Sequence, residues 1–283
     1  MKKIVEYLKF FICGVVFGTA NVIPGVSGGT MLVVFGVFDR LTEAISEIKK
    51  IIHNFAFLVT FALGAGAGIL LSAKVIGSMF ETYAVQTNMF FIGLILGGIP
   101  LILKLGTAEK KVKPMCIVPF LLAMVIVVTL TVLEKLDVFT MTAENVTGFD
   151  MVFSLKMIVC AAIATVTMII PGISGSFMMM LLGVYETIIG ALNSMNFYVI
   201  IPFAIGALFG IIFGAKLISI LIKKNKLMVY SAIMGMVIGS VYAILPEGFG
   251  FNLQTGYGFA FMLVGVLASV LIARFGGSES EEA

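Results

Sequence analysis

Charged side chains are scarce throughout this chain. Asp, Glu, Lys and Arg make up 12% of its 283 residues, whereas hydrophobic residues make up 60%. A soluble domain has about 25% charged residues. The longest polar stretches are too short to form a soluble domain of their own: 39–54, 104–114 and 134–155. The composition therefore predicts an all-α polytopic membrane protein.

Cysteine clusters and basic surfaces are lacking as well. The three cysteines, Cys13, Cys116 and Cys160, stand in apolar segments at unrelated spacings, which is typical of neither a disulfide framework nor a metal site. The chain has no large basic patch with interleaved aromatic residues, so nucleic acid is not an expected partner. No metal and no other cofactor is predicted.

Two apolar segments are interrupted by the same proline-glycine sequence. Residues 23–30 read IPGVSGGT, and residues 170–176 read IPGISGS. Backbone that leaves a helix within the bilayer exposes N–H and C=O groups, and each unsatisfied group costs several kcal/mol in hydrocarbon. Such a break persists where protein or a polar cavity satisfies it. The two matched breaks therefore predict a binding site of the kind found in transporters.

The chain also contains an internal duplication. At an offset of 147 residues, 23–38 aligns with 170–185 and shows 8 identities in 16 positions. At an offset of 142 residues, 54–74 aligns with 196–216 and shows 10 identities in 21. The duplication predicts two homologous halves, 1–133 and 134–283. Four pairs of matched glycines are expected to be helix-packing notches: Gly64 and Gly206, Gly68 and Gly210, Gly93 and Gly235, and Gly97 and Gly239.

The basic loops predict how the chain is threaded. A spanning helix needs about 20 apolar residues, and six segments qualify: 55–77, 84–103, 115–133, 198–220, 229–246 and 257–275. The positive-inside rule places Lys and Arg on the cytoplasmic side. The basic regions are the N-terminus, 39–54, 104–114 and 221–228.

All four basic regions are cytoplasmic only if segments 10–38 and 156–189 each enter the bilayer and return. Residues 10–20 would rise about 16 Å as a helix, which is half of the hydrocarbon core. We therefore predict six spanning helices and two re-entrant helical hairpins, with both termini cytoplasmic. One hairpin would enter from each face, so the halves form an inverted-topology repeat, as in many alternating-access transporters.

The chemistry predicted at the breaks is anion binding. A new helix begins after each break, near Thr30 and near Phe177, with unpaired N–H groups and a positive dipole end. Glycine lets backbone approach a ligand closely, and hydroxyls add donors. The same hydroxyls could instead cap the helices. The candidate substrate-binding residues are Ser27, Gly28, Gly29, Thr30, Ser174, Gly175 and Ser176.

Three basic residues could assist. Arg40, after the first hairpin, could bind a phosphate bidentately or could simply determine topology. Lys74 and Lys216 occupy equivalent repeat positions inside spanning segments. In the inverted topology Lys74 would lie toward the outer mouth and Lys216 toward the inner mouth. The alternative for both lysines is snorkelling to the interface.

Four further polar residues are candidates for the site. Asn21 has no polar counterpart in the second half and would give the first hairpin a contact of its own. Asp39, Glu81 and Glu186 are candidates for proton coupling, because acidic residues at membrane depth are costly and often functional. Their predicted positions near the interfaces also fit solvated surface residues.

At these motifs the chain resembles a known family. Residues 18–30 (GTANVIPGVSGGT), 36–40 (GVFDR) and 171–175 (PGISG) are similar to a bacterial and archaeal membrane family, long catalogued as a domain of unknown function. Its members are regarded as polyprenyl-phosphate transporters. The resemblance implies a plasma-membrane protein that returns undecaprenyl phosphate from the outer to the cytoplasmic leaflet for reuse in peptidoglycan and other envelope polymers. It places the functional motif at 21–30 and 171–176, and it leaves homo-oligomerisation open.

Two other functions are alternatives. A polyprenyl-diphosphate phosphatase family also has inverted repeats and a Pro-Gly-x-Ser turn, but there an arginine follows the serine. Here Gly28 and Gly175 occupy that position. Phosphoryl transfer without a cation to stabilise the developing charge loses a main catalytic contribution, so no enzyme activity and no catalytic residue is predicted. A transporter of a small anion is the other alternative.

Overall fold

A computed structural model describes residues 2–22, 27–107, 114–136, 147–246 and 253–276. No β-strand occurs within these ranges. Side chains are described for 6–21, 27–71, 82–107, 114–136, 147–246 and 256–271. The helices are α1 (Lys2–Val22), α2 (Gly28–Val34), α3 (Phe38–Ile45), α4 (Ile48–His53), α5 (Phe55–Thr107), α6 (Ile117–Lys135, after a 3₁₀ turn Pro114–Cys116), α7 (Met151–Ile169), α8 (Gly175–Leu181), α9 (Tyr185–Asn193), α10 (Phe197–Ile244) and α11 (Leu253–Gly276).

The order of the helices repeats along the chain. A long helix, a seven-residue helix and another short helix (α1, α2, α3) recur as α7, α8 and α9. The turns that end the two seven-residue helices match in detail, since Gly36 and Gly183 have φ angles of +68° and +69°. This left-handed conformation is nearly free of cost only for glycine. The very long helices α5 and α10 follow, and α6 and α11 complete the series.

The two longest helices are each bent at one residue. Tyr83 in α5 has φ −133° and ψ 43°, and Asn225 in α10 has φ −154° and ψ 78°. Their numbers differ by 142, the offset of the sequence alignment. The sequence predicted separate spans joined by connecting loops here. In the structure one non-helical residue separates the two helical segments in each case. Each long helix therefore has a first and a second segment, before and after its bend.

The predicted packing role of the matched glycines is confirmed. A Cβ on Gly64 would overlap the carbonyl oxygen of Phe11, and one on Gly206 would overlap that of Ile158. The backbones of the two helices are in contact at these positions, so there is no room for a side chain. Small residues allow this close approach of helices in membranes. Helix α1 thus packs on the first segment of α5, and α7 packs on the first segment of α10.

The last helix of each half packs on the opposite half. A Cβ on Gly93 in α5 would overlap the carbonyl oxygen of Met262 in α11. A Cβ on Gly235 in α10 would likewise overlap the carbonyl oxygen of Phe120 in α6. Helices α6 and α11 are therefore exchanged between the halves, at contacts that again follow the offset of 142.

Several helices are long and apolar enough to cross a bilayer. Among the described residues four qualify, or five if α8 and α9, bent by 111°, are counted as one broken span. The four are Thr82–Thr107, Pro114–Lys135, Met151–Ile169 and Phe197–Ile244, and shorter apolar helices cover Phe55–Leu71 and Gly256–Leu271. The chain is a polytopic helical membrane protein.

The first arms of the two hairpins are longer than the sequence predicted. Helix α1 begins at Lys2 instead of residue 10, and α7 begins at Met151 instead of residue 156. Their 21 and 19 residues rise about 30 Å, which is the full hydrocarbon thickness. Helix length therefore gives no support to a half-depth arm.

The chain nevertheless folds back at each break. Arg40 forms an ion pair of 2.9 Å with Glu6 near the start of α1, so both lie at the same end of the molecule. In the second half, Met157 of α7 belongs to one apolar cluster with Val184, which precedes α9, and Ile188 of α9. Each of the two broken segments thus returns along the helix that precedes it.

Candidate functional site

The two proline-glycine breaks meet inside the protein. The backbone N–H of Gly172 donates a hydrogen bond of 2.9 Å to the hydroxyl of Thr30, and the hydroxyl of Ser27 donates one of 3.4 Å to the carbonyl of Ile173. Gly29 allows this approach, because a Cβ there would lie 2.9 Å from the carbonyl oxygen of Ile169. Residues about 145 positions apart in sequence thus satisfy each other's polar groups. Residues 23–26, which contain the first proline, lie outside the described residues.

The described part of the first break, residues 27–30, is buried, and the second break is more accessible. Thr30 is fully buried and Ser27 is 6% exposed, whereas Ser174, Gly175 and Ser176 are half-buried. A ligand therefore reaches the second break more easily than the first in this conformation.

The hydroxyls differ in what they contact. Ser174 accepts a hydrogen bond of 3.5 Å from the N–H of Phe177, as an N-cap does, and its Oγ lies 2.6 Å from that of Ser176. Ser27 precedes α2 but makes no capping bond. Capping accounts for Ser174, whereas the Ser27 hydroxyl connects the two breaks.

The dipoles of the two short helices attract an anion less strongly than the sequence predicted. Helices α2 and α8 have only seven residues each, so few peptide dipoles are aligned behind each N-terminus. The hydroxyls of the half-buried second break are the stronger donors to consider.

Asn21 lies over the first break. Its side-chain amide donates 2.8 Å to the carbonyl of Phe17 in its own helix. A Cβ on Gly28 would overlap the Asn21 amide nitrogen. Gly28 therefore lets the Asn21 amide lie close to the backbone, and a larger residue there would displace that side chain.

Arg40 braces the first hairpin. Besides its ion pair with Glu6, its guanidinium stands 4.3 Å from the ring centre of Phe10 and 5.1 Å from that of Phe57. These contacts hold α3 against α1 and α5, because a guanidinium over an aromatic face is attracted to it. They give Arg40 a structural role beside any role in phosphate binding.

Asp39 links the two halves through residues that sequence reasoning missed. Its carboxylate accepts a hydrogen bond of 2.7 Å from the hydroxyl of Tyr230, which is 3% exposed, and lies 3.6 Å from the ammonium of Lys226. The repeat alignment contained a signal for them. At the offset of 142 residues, Tyr230 aligns with Asn88 and Lys226 aligns with Ala84. Both side chains are therefore specific to the second half.

A second pair of contacts lies nearby. Glu43 accepts hydrogen bonds of 2.9 Å from Lys223 and 3.2 Å from Lys50. The bond from Lys223, followed by that from Lys50, holds the pKa of the Glu43 carboxyl below its usual value. The pairs are exposed and therefore add little stability, but they place the basic regions 39–54 and 221–228 at one end of the molecule.

Comparison with known proteins identifies the family. The family model described as VCA0040-like, undecaprenyl phosphate translocase-like, matches residues 16–254. The chain belongs to this family. The matched region includes both breaks as well as Asp39, Lys226 and Tyr230, so the geometry described above lies within the translocase-like domain.

Two curated proteins are similar to this translocase-like chain. A polyprenyl-phosphate transporter of Vibrio cholerae is 28% identical over 259 residues, which cover 86% of this chain and 79% of that protein. A polyprenyl-phosphate transporter of Staphylococcus aureus is 27% identical over 270 residues, which cover 92% of this chain and 94% of that protein. No solved structure matches the chain.

The remaining candidates of the translocase-like chain lie apart or are not described. Lys216 is exposed on a stripe of α10 with Phe209, Phe213 and Ile220, which are exposed as well. Such an apolar neighbourhood favours snorkelling along the lipid-facing side. Glu186 is exposed in the first turn of α9. The side chains of Lys74 and Glu81 lie outside the described residues.

Proposed function

We propose that this protein transports a polyprenyl phosphate across the bilayer, from the outer to the cytoplasmic leaflet, without chemical change to the lipid. The lipid is undecaprenyl phosphate in this proposal, returned for reuse in envelope polymer synthesis. The names of both curated relatives support the substrate class. The observation that carries the proposal is the hydrogen bond between Gly172 and Thr30, because it brings the two breaks to one place.

The phosphate is proposed to bind at the junction of the breaks. Ser174 and Ser176 are half-buried and hydrogen-bonded only 2.6 Å apart, so both hydroxyls can turn to an anion from one side. Glycines beside them leave the backbone N–H groups approachable. Glycine, instead of arginine, follows Ser27 and Ser174, which favours holding a phosphate over cleaving it. The isoprenoid chain stays in apolar surroundings.

The halves are proposed to have inverted topology and to exchange conformations during transport. Matched helices, bends and glycine contacts at offsets of 147 and 142 support two equivalent units. Exchange of their conformations opens the junction to one face and then to the other. Two further roles stay predictions. One is guidance of the anion by Arg40, Lys74 and Lys216, and the other is coupling of transport to protons by Asp39, Glu81 and Glu186.

Reconstitution in liposomes tests the proposal. Purified protein is inserted into vesicles that carry labelled undecaprenyl phosphate, and leaflet exchange and phosphate release are followed together. We expect exchange above that of empty vesicles and no release from the corresponding diphosphate. Exchange equal to that of empty vesicles would refute transport, and phosphate release would restore the phosphatase alternative.

The double variant Ser27→Ala with Ser174→Ala tests the hydroxyl contacts. It removes the bond to Ile173 and the cap of α8, so we expect clearly slower lipid exchange in the same vesicles, with unchanged expression. Thr60→Ala is the matched control, because that hydroxyl bonds only to the Ala56 carbonyl of its own helix. Normal exchange by the double variant would exclude a role of these side chains.

Cysteine labelling tests the inverted topology. The native cysteines are buried, so wild-type protein should not react with a membrane-impermeant maleimide. We expect exposed Ser194→Cys to be labelled in intact cells and exposed Lys49→Cys only after permeabilisation. Labelling of both variants from the same side would show that the halves are not inverted.

A further inference from the structure

An apolar cavity of about 550 Å³ lies where three helices diverge. Its walls are the end of α5, the start of α6 and the beginning of the second segment of α10. The apolar lining includes Ile102, Leu103, Ile117, Phe120, Leu227 and Met234. Leu103 is 48% and Ile117 59% exposed, so the cavity opens sideways where the apolar surface of the helices meets the bilayer.

One end of this cavity is charged. The ring of Tyr230 lines the cavity, while its hydroxyl donates to Asp39. The Lys226 ammonium stands 5.4 Å from the centre of that ring and 3.6 Å from the Asp39 carboxylate. Beside its Tyr230 wall the apolar cavity thus has a cation, which is held by an exposed ion pair and by the face of the tyrosine ring.

The surrounding charge favours an anion. Two residues of the cavity wall have a lysine next to them in sequence: Lys104 follows Leu103, and Lys226 precedes Leu227. An occupant that suits this place has an anionic head beside the lysines and a long apolar chain in the cavity.

We propose that the cavity is a second lipid site, at the cytoplasmic end, which holds part of the isoprenoid chain of a polyprenyl phosphate with its phosphate at Lys226. This inference rests on the proposed function and names a place where the lipid is held before release. The volume is that of an ordinary small-molecule pocket, so it takes a few isoprene units and leaves the rest in the bilayer. When the phosphate engages Lys226, Asp39 keeps the hydrogen bond from Tyr230.

The absence of tryptophan from the chain provides a clean probe. Ile117→Trp places the single indole at the cavity wall. Val125→Trp is the matched control, because Val125 is a β-branched residue of the same helix with similar exposure, 57% against 59%, and it does not line the cavity. Leu103→Trp, on the opposite wall, replaces Ile117→Trp if that variant is not monodisperse in detergent.

Farnesyl phosphate in detergent is the first ligand. We expect a saturable change of tryptophan fluorescence in Ile117→Trp and none in Val125→Trp. Farnesol, which lacks the phosphate, should bind at least about tenfold more weakly, and inorganic phosphate, which lacks the chain, should give no change. Equal responses of the two variants would indicate partition of the lipid into the micelle and would overturn the proposal, as would equal binding of farnesol.

The charge is tested in the Ile117→Trp background. Lys226→Gln should weaken farnesyl phosphate binding about tenfold, a change of about 1.4 kcal/mol. Lys224→Gln should leave binding unchanged, and equal effects of the two would show a non-specific charge contribution and refute the site. If liposome exchange proceeds but the probe reports no binding, the cavity site is wrong and transport stands. If binding is seen without exchange, the proposed transport fails and the site stands.

Discussion

Thr30→Val is expected to reduce lipid exchange in liposomes by an order of magnitude or more. Valine has nearly the shape of threonine but lacks the hydroxyl that accepts the Gly172 N–H at 2.9 Å. Thr30 is fully buried, so a methyl group of valine would face the Gly172 N–H where the hydroxyl oxygen stood. A donor left without a partner costs about 1–3 kcal/mol when it is shielded from water. That cost falls on the junction of the two breaks, where the phosphate is proposed to bind.

Two matched variants separate this effect from general damage. Thr30→Ser keeps the hydroxyl and should retain most of the exchange rate. Thr60→Val removes a hydroxyl that bonds only within α5 and should leave exchange unchanged. Wild-type exchange by Thr30→Val would mean that contact between the breaks is not needed for transport. Equal loss in Thr30→Ser and Thr30→Val would assign the effect to packing instead of the hydrogen bond.

Gly93→Ala is expected to destabilise the protein strongly, whereas Gly66→Ala in the same helix is expected to leave its stability unchanged or raise it. The new Cβ at Gly93 would overlap the backbone carbonyl of Met262. Backbone cannot rotate away as a side chain can, so α5 and α11 must separate, at a cost of about 1–3 kcal/mol or more. Gly66 has nothing within 4 Å of an added Cβ, and alanine favours a helix by about 1 kcal/mol over glycine.

Heating in detergent, followed by size-exclusion chromatography, measures the difference. Gly93→Ala should leave the monodisperse peak at a clearly lower temperature than wild type, and Gly66→Ala at an equal or higher one. Equal midpoints for the two variants would contradict the tight contact of α5 with α11. Gly235→Ala, whose Cβ would overlap the Phe120 carbonyl, should repeat the result of Gly93→Ala in the other half.

Much of the local structure could be predicted from sequence because its causes are local. A proline followed directly by a glycine favours a break in a helix, so the second break was predicted correctly between Ile169 and Gly175. By contrast, the isolated Pro100 and Pro202 stay inside α5 and α10. The matched glycines revealed packing notches because close helix contact requires the same small residue in both halves. The family resemblance rested on the same motifs, and the family match confirms it.

Other features depend on contacts that sequence periodicity does not encode. The bends at Tyr83 and Asn225 need a single residue each, so the segments around them looked like loops. Helix α1 extends to Lys2, and Glu6 in this added part meets Arg40, a contact visible only after folding. The link between Asp39 and Tyr230 joins residues 191 positions apart, and the hydroxyl contact between the breaks likewise required the assembled chain.

The exchange of α6 and α11 has a consequence for how the chain is made. Phe120 of α6 packs against Gly235 in the second segment of α10. Helix α6 leaves the ribosome about a hundred residues before that segment. During that interval α6 must wait in lipid without its backbone-to-backbone contact. Neither half can therefore reach its final packing alone, and the protein matures only when its last helix, α11, has been inserted. Separately synthesised halves should need each other's presence in the same membrane to escape degradation.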